Sequence, residues 1–309
     1  MSEDNTFHVE PSINQETSNV ELQSCPICGH TTFRQKLEVI DRFYSQEIFK
    51  LKECIQCGFL CTNPRPKNEK LPEYYNSSEY VSHGGSSKGI FKSIYHLVQS
   101  INFRIKYRSI PSDVPHGTWA DYGAGTGGFV KYVKDRGQEI KGFEPESAAR
   151  QNAAQSGITI NPTEEFLTNS EQYACITMWH VLEHISNLNE VLQALYDKLL
   201  PGGILAIAVP NYKSFDAKWY RTNWAAFDVP RHLWHFSEKD VIALCANHHF
   251  QFRYKKALPF DAFYISMLSE GYRNKSKIKG AAIGAISNFY AKFSAYPYSS
   301  QTYIFQKSI

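Results

Sequence analysis

An open, doubly wound α/β sheet is the fold class that this 309-residue sequence predicts. From residue 117 onward, short apolar segments typical of strands alternate with helical patterns, which is the rhythm of βαβ units. The first strand runs into an acidic residue and then into glycines at 123, 125 and 127. The next strand ends in Glu144, about twenty residues further along the chain. These features indicate a sheet that binds a nucleotide-like ligand at the carboxyl ends of its strands.

The individual elements follow from apolar runs and from the residues that end them. Strands are predicted near residues 118–122, 139–143, 158–161, 173–179, 203–209, 250–257 and 302–306. Helices are predicted near residues 127–136, 147–156, 187–199, 237–248 and 276–294. Gly137 and Gly157 end the first two helices, and Ser237 with Asp240 three residues later is an N-terminal cap for the fourth.

The chain divides into a lead, a small module and a large domain. Residues 1–22 are polar, so we expect a disordered lead. Residues 23–85 hold two cysteine pairs around a β-like segment and predict a zinc-ribbon-like module, which ends in a glycine- and serine-rich loop. Residues 86–309 form the sheet domain. Residues 88–109 carry apolar side chains at helical spacing and predict a helix that packs on the sheet or, alternatively, lies on a membrane surface.

Composition limits the classes of protein to consider. The chain has no run of eighteen apolar residues and no signal pattern after Met1, so we expect no transmembrane helix and a cytoplasmic location. Residues 1–85 carry 8 basic and 12 acidic side chains, a net charge of −4, whereas residues 251–309 carry 9 basic and 2 acidic ones, a net charge of +7. The acidic module disfavours binding to nucleic acid, because phosphates attract the opposite charge.

The cysteine spacing predicts a structural zinc site. Five of the seven cysteines lie within residues 25–61, and a chain without export signals favours metal binding over disulfides. Cys25 and Cys28 form one C-x2-C pair, and Cys54 and Cys57 form a second after 25 intervening residues. Four thiolates give a closed tetrahedral site for Zn²⁺, with His30 and Cys61 as possible substitute ligands in the region.

The glycine-rich turn has two interpretations. Gly123, Gly125 and Gly128 satisfy G-x-G-x-x-G, the dinucleotide fingerprint, so a nicotinamide dehydrogenase is one alternative. Asp121, two residues before the first glycine, can face an ammonium group of a ligand. Glu144 has the acceptor oxygens that two ribose hydroxyls need.

Two histidine-rich segments supply candidate catalytic groups. His180-Val-Leu-Glu-His184 spells H-x-x-E-H, the inverted zinc-protease motif, but it directly follows a predicted strand, which disfavours a protease. His184 is predicted to be either a buried histidine bonded to the backbone or a general base. In residues 227–236, Arg231 can hold a carboxylate or phosphate of the substrate, or pair internally. His232 and His235 can each take a proton from a hydroxyl.

The sequence resembles class I S-adenosylmethionine (SAM)-dependent methyltransferases in four segments, which occur in the family's order: residues 118–129, 173–184, 199–211 and 229–237. The branch they resemble also carries an N-terminal cysteine module, so the likeness covers about residues 25–309. It implies a Rossmann-like, seven-stranded fold, an enzyme, and SAM and zinc as cofactors. The SAM-binding residues that it implies are Asp121, Gly123, Ala124, Gly125, Gly127, Glu144, Pro145, Met178, Trp179 and His180.

The resemblance also implies a type of reaction. No Asn/Asp-Pro-Pro-Tyr/Phe tetrad follows the fourth strand, where Met178-Trp-His-Val stands instead, which disfavours the amino-group methyltransferases that use this tetrad. We expect methyl transfer to oxygen or carbon of a small-molecule acceptor, and the branch suggests a sugar. The basic residues in 251–309 fit a phosphorylated or nucleotide-linked acceptor, or else form an ordinary solvated face. The alternatives are an RNA (rRNA base) methyltransferase and a non-catalytic SAM- or zinc-binding adaptor.

Overall fold

The structure is a computed structural model that describes residues 18–75 and 90–308. The loop predicted at residues 82–87, the boundary near residue 85 and most of the predicted disordered lead lie outside these ranges. The strands are β1 (Asn19–Val20), β2 (Phe33–Ile40), β3 (Ile48–Cys54), β4 (Leu60–Thr62), β5 (Arg65–Pro66), β6 (Trp119–Tyr122), β7 (Ile140–Phe143), β8 (Ile160–Asn161), β9 (Tyr173–Trp179), β10 (Leu199–Pro210), β11 (Trp234–His235), β12 (Phe250–Ala257) and β13 (Ser300–Lys307).

The α-helices lie between these strands. They are α1 (Ile90–Ser109), α2 (Gly128–Lys134), α3 (Ser147–Gln155), α4 (Thr163–Thr168), α5 (Leu188–Lys198), α6 (Phe215–Tyr220), α7 (Glu238–Ala246), α8 (Pro259–Tyr272) and α9 (Lys277–Phe293). Each strand and helix predicted after residue 117 is present, with ends shifted by a few residues. The capping box that the sequence predicts at α7 forms between Ser237 and Asp240.

A seven-stranded sheet with the order β12-β13-β10-β9-β6-β7-β8 forms the centre of the fold. Strands β6 to β10 are parallel, and β13 runs antiparallel between β10 and β12. The chain moves outward from β6 to β8 and then returns to β9 on the other side of β6. This reversal leaves a crevice at the carboxyl ends of β6 and β9, where ligands of open α/β sheets bind. The predicted doubly wound, Rossmann-like fold is confirmed.

Two apolar layers cover the two faces of this sheet. Helix α1 packs on one face, where the Phe103 and Phe129 ring centroids lie 6.2 Å apart and those of Tyr107 and Trp119 lie 5.9 Å apart. The predicted packing of this helix on the sheet is therefore confirmed. The opposite face contacts α5, α7 and residues of the cysteine module, including Phe59.

The cysteine module shares a sheet with the segment that follows β10. Strands β2, β3 and β4 are antiparallel neighbours, and β11 extends them through the pairs Trp234–Cys61 and His235–Leu60. The rings of Phe59 and Trp234 stack at 5.7 Å. A strand from residues 227–236 therefore completes the module, so the module is attached next to the edge of the sheet that binds ligands.

Helices α8 and α9 form an antiparallel pair beyond this edge, and the sequence analysis did not predict α8. Two glycines let the helices approach closely. A Cβ atom on Gly280 would lie 2.6 Å from Cα of Met267, and one on Gly284 would lie 2.7 Å from Cα of Phe263. Within the described ranges, no helix has the length and apolarity needed to cross a bilayer.

Candidate functional site

The glycine-rich turn after β6 is shaped by three left-handed residues. Gly123, Gly125 and Gly127 have φ angles of 80°, 54° and 77°. A Cβ atom on Gly123 would lie 2.3 Å from Cγ2 of Val181, so packing alone requires glycine there. A Cβ atom on Gly125 would meet no atom within 4 Å. Gly125 therefore faces open space, as a residue beside a ligand cleft does.

The carboxylate of Glu144 lies across this turn. Its Oε2 accepts a hydrogen bond from the Gly125 amide at 2.9 Å, and its Oε1 accepts one from the Glu146 amide at 3.1 Å. Burial raises the pKa of Glu144, and the two amide bonds oppose that rise. Ala124 lies in the same turn, and Pro145 is exposed directly after Glu144. The structure thus brings Ala124, Gly125, Glu144 and Pro145 together at the carboxyl ends of β6 and β7.

Asp121 lies in the crevice between β6 and β9. Its side chain is buried, and Oδ1 accepts a hydrogen bond from the Thr177 hydroxyl at 2.6 Å. Burial raises the pKa of Asp121 to about 7, although the Thr177 bond and the nearby Lys106 lower it. A carboxyl group with this pKa gains its charge most readily when a cation lies beside it.

Lys106 is a charged group in the crevice that the sequence analysis missed. Its Nζ lies 5.0 Å from the centre of the Trp179 ring, and burial lowers its pKa while Asp261 and Asp121 raise it. Trp179 packs edge-to-face against Phe129 on this side of the sheet. Met178 points the other way into the core with no exposed surface, because successive strand residues face opposite sides. The prediction that Met178 lines the cofactor cleft is therefore wrong.

His180 follows β9 with a left-handed φ of 60°. Its Nε2 lies 2.9 Å from Oδ2 of Asp261, and its Nδ1 lies 3.5 Å from Oε1 of Glu183. Burial alone would lower the pKa of His180, but these two carboxylates raise it to about 9. His180 is therefore charged near neutral pH. The H-x-x-E-H sequence spans this strand end and the 3-10 helix Leu182–His184, so it lacks the regular helix that the protease motif requires.

A second cluster contains Glu183, His184 and His232. One carboxylate oxygen of Glu183 and one ring nitrogen of each histidine lie within 4.8 Å of one another. The rings of His184 and His232 are close to perpendicular, with centroids 4.5 Å apart. His232 Nδ1 lies 2.8 Å from the carbonyl oxygen of Ala226, so this nitrogen carries the hydrogen of the neutral ring and Nε2 keeps a lone pair.

His184 is held in a different way within the same cluster. Its Nδ1 lies 3.0 Å from the carbonyl oxygen of Arg231 and 3.0 Å from the Tyr75 hydroxyl oxygen. His184 is thus half-buried and bonded to the backbone. Burial and the neighbouring His232 lower the pKa of His184 to about 4, so the ring is neutral at physiological pH.

Two of the predicted catalytic residues serve the structure instead. Arg231 is 2% exposed, and its Nη2 donates to Asp228 at 2.6 Å and to Asp41 at 2.9 Å. The prediction that it binds a substrate anion is wrong, because protein carboxylates already occupy it. The Thr62 hydroxyl donates to the carbonyl oxygen of His232, so its oxygen accepts from Nε2 of His235 at 3.1 Å. Burial lowers the pKa of His235 well below its ordinary value, and a role as base is not supported.

The four predicted zinc ligands lie together in the cysteine module. The Sγ atoms of Cys25 and Cys57 are 3.5 Å apart, as are those of Cys28 and Cys54, and all four lie within 4.8 Å of one another. Zinc–sulfur bonds of about 2.3 Å in a tetrahedron need sulfur separations of roughly 3.8 Å, so the set fits Zn²⁺. Gly29 and Gly58 follow the two pairs with φ of 73° and 77°. Cys61 lies outside the cluster and contacts the carbonyl oxygen of Lys52.

Comparison with known proteins identifies a family that this chain matches. Residues 96–254 match the family model described as a methyltransferase domain. A ubiquinone biosynthesis O-methyltransferase of Shewanella halifaxensis is 29% identical over 100 residues, which cover 29% of this chain and 42% of that protein.

Solved structures show the same fold. Phosphoethanolamine N-methyltransferase 2 of Haemonchus contortus, in complex with S-adenosyl-L-methionine, has a TM-score of 0.52 and 15% identity, covering 81% of this chain and 63% of that one. A SAM-dependent methyltransferase of Thermotoga maritima has a TM-score of 0.48 and 18% identity, covering 70% and 94%.

We expect Gly125→Arg to weaken SAM binding by more than about 100-fold, or about 2.7 kcal/mol, because its side chain would fill the open space beside the turn. Calorimetric titration with SAM measures the change. Gly137→Arg is the matched control, since Gly137 also has a left-handed φ and open space, but it lies at the far end of α2. Equal SAM affinity in the two variants would contradict the assignment of the cleft.

Proposed function

This chain belongs to the SAM-dependent methyltransferase family, and from that premise we propose that it transfers a methyl group to oxygen or carbon of a small-molecule acceptor. The observation that carries the proposal is the cluster of His184 and His232, and His184 follows three residues after Val181, which packs against Gly123 of the glycine-rich turn. A base is most useful when the acceptor is an alcohol or an acidic carbon, which must lose a proton to be methylated.

The cleft residues are proposed to hold SAM. Glu144 would accept hydrogen bonds from the ribose hydroxyls of SAM, and Asp121 would accept one from its ammonium group. Gly125, without a side chain, lets SAM approach the backbone closely. SAM supplies a methyl group on a sulfonium centre, which is a good leaving group and needs alignment more than activation. Lys106, opposite Asp121, is a candidate partner for the carboxylate of the cofactor.

His232 is proposed as the base. With Nδ1–H directed to Ala226, its Nε2 accepts the acceptor's proton as the new bond to the methyl group forms. His184, neutral and held by the backbone of Arg231, packs against this ring and positions it. Buried Glu183 then stabilises the positive charge that His232 gains.

A cavity beyond β10 supports an acceptor with an anionic group. The cavity has a volume of about 500 Å³, and its lining includes Lys213, Lys239 and Lys255, together with Glu238, which pairs with Lys255. Burial lowers the pKa of Lys213, and the neighbouring charges of Lys36 and Lys239 lower it further. A phosphate or carboxylate in the cavity would stabilise the charged form of these lysines, which fits a phosphorylated or nucleotide-linked acceptor.

The cysteine module is proposed to hold one structural zinc ion. Four thiolates leave no open coordination position, so the ion would fix the two turns and the sheet that β11 completes. We expect about one zinc per chain by elemental analysis, and Cys57→Ser should lose it with a large drop in thermal stability. Cys245→Ser, in α7, is the control that should keep the metal. Metal-free protein of unchanged stability would refute the site.

Transfer of labelled methyl from SAM into an extract of the source cells tests the acceptor class. Label in the small-molecule or glycan fraction is the expected result. Label in RNA alone would overturn the proposal in favour of RNA methylation, and label in protein alone would overturn it equally. The Gly125→Arg protein is the control for transfer that does not depend on the cleft.

We expect His232→Asn to lower kcat by about 100- to 10,000-fold, the usual contribution of a general base, while SAM affinity stays unchanged. Steady-state kinetics with the identified acceptor, at several pH values, provide the measurement. His248→Asn is the matched control, because His232 and His248 are both 9% exposed and His248 contacts Asn189 away from the cleft. Similar rates for the two variants would remove His232 as the base.

A further inference from the structure

Helix α9 presents a stripe of large apolar side chains to solvent. Ile278, Ile286, Phe289 and Phe293 are 82%, 41%, 60% and 65% exposed. Their spacing of eight, three and four residues places them on one face of the helix, and exposed Ala282 and Ala285 fill the gaps. We call this face the α9 stripe.

The opposite face of α9 carries mainly small residues, and Ile283 is the one large apolar side chain buried there. Gly280 and Gly284 approach α8 closely, and the Ser287 hydroxyl donates to Asp216 of α6. A helix that serves only the core of its own protein buries its large apolar residues. In α9 the large residues Ile278, Phe289 and Phe293 lie outside, so the α9 stripe adds little to the fold.

The exposed apolar surface continues onto α6. Phe215 stacks on Tyr290 of α9 with centroids 4.6 Å apart, and Trp219 stacks on Phe215 at 6.1 Å. Trp219 is itself 48% exposed. Aromatic side chains of this kind are enriched where protein meets the boundary between lipid and water.

The charges around the α9 stripe identify its partner. Between residues 259 and 299 the basic residues are Arg273, Lys275, Lys277, Lys279 and Lys292. The acidic residues in the same range are Asp261, which contacts His180, and buried Glu270, which lies 3.6 Å from Arg273 and 3.9 Å from Lys279. Lys275, Lys277 and Lys292 have no acidic residue of this range within salt-bridge distance, so the surface beside the stripe is positive.

We propose that the α9 stripe docks on an anionic lipid surface, with Phe289 and Phe293 entering the boundary between headgroups and acyl chains. The flanking lysines then contact lipid phosphates, the arrangement of basic amphipathic helices that lie in a membrane interface. A second copy of the chain fits this face poorly, because a symmetric pair would bring the same lysines together.

Co-sedimentation of the full chain with lipid vesicles tests the proposal. We expect binding to vesicles of phosphatidylcholine and phosphatidylglycerol in equal parts, much weaker binding to phosphatidylcholine alone, and loss of binding at high salt. The pair Phe289→Glu and Phe293→Glu should weaken binding at least about tenfold. The pair Lys275→Glu and Lys277→Glu should weaken it about 30-fold or more.

The control pair is Ile48→Glu and Leu167→Glu, which adds the same charge at exposed apolar sites, 62% and 47% exposed, outside α9. Every variant must keep its SAM affinity, which verifies folding independently of methyl transfer. Absence of binding to phosphatidylglycerol vesicles, or equal losses in the control pair, would overturn the proposal. So would a dimer by light scattering that the Phe289→Glu and Phe293→Glu pair abolishes, since it would identify a second copy as the occupant.

Discussion

The ion cluster around Arg231 is the interaction on which the site depends. One guanidinium binds Asp41 of the cysteine module and Asp228 of the segment after β10, and its Nη1 also donates to the carbonyl oxygen of Tyr74. Removing one partner of a buried ion pair typically costs about 3–5 kcal/mol, because the other charge stays buried. Asp41 is itself fixed by amide bonds from Phe43, among others. The cluster therefore joins the module to the residue that immediately precedes His232.

This connection explains why the module and residues 227–236 are held together. Arg231 presents its carbonyl oxygen to His184, and β11 begins three residues later and pairs with β4 of the module. Two histidines from distant parts of the chain thus acquire fixed positions from one backbone segment. Without the module, that segment would lose its ion partner Asp41 and its neighbouring strand, and the backbone that carries His232 would be held less firmly. In this way the module that contains the four cysteines helps to position the two histidines, although the cysteines themselves lie outside the histidine cluster.

Local patterns predicted the sheet, the glycine-rich turn, Glu144 and the cysteine cluster, because each depends on residues close in sequence or on a repeated period. For Arg231 the sequence left substrate binding and internal pairing open, and it did not indicate the partners of Arg231 or His235, since Asp41 and Thr62 are 190 and 173 residues away along the chain. The same limit applies to Lys106 and Asp261, because each is one of several polar residues on its helix and only the fold directs it into the crevice. For Met178, alternation along β9 was the available signal, and it assigns Met178 and Trp179 to opposite faces.

In helix α9, close packing determines which residues are buried. Its small residues predicted a helix, but the sequence pattern does not say that Gly280 and Gly284, rather than Phe289 and Phe293, face the protein. Cβ atoms on Gly280 and Gly284 would collide with the backbone of α8, so the helices can approach only with this face inward. That orientation leaves Ile278, Phe289 and Phe293 on the outer side. Such a large exposed apolar surface disfavours solubility and persists in natural proteins mainly where it binds something. The exposure therefore follows from the geometry that makes α8 and α9 a tight pair, and α8 in turn supplies Asp261 to His180 in the crevice.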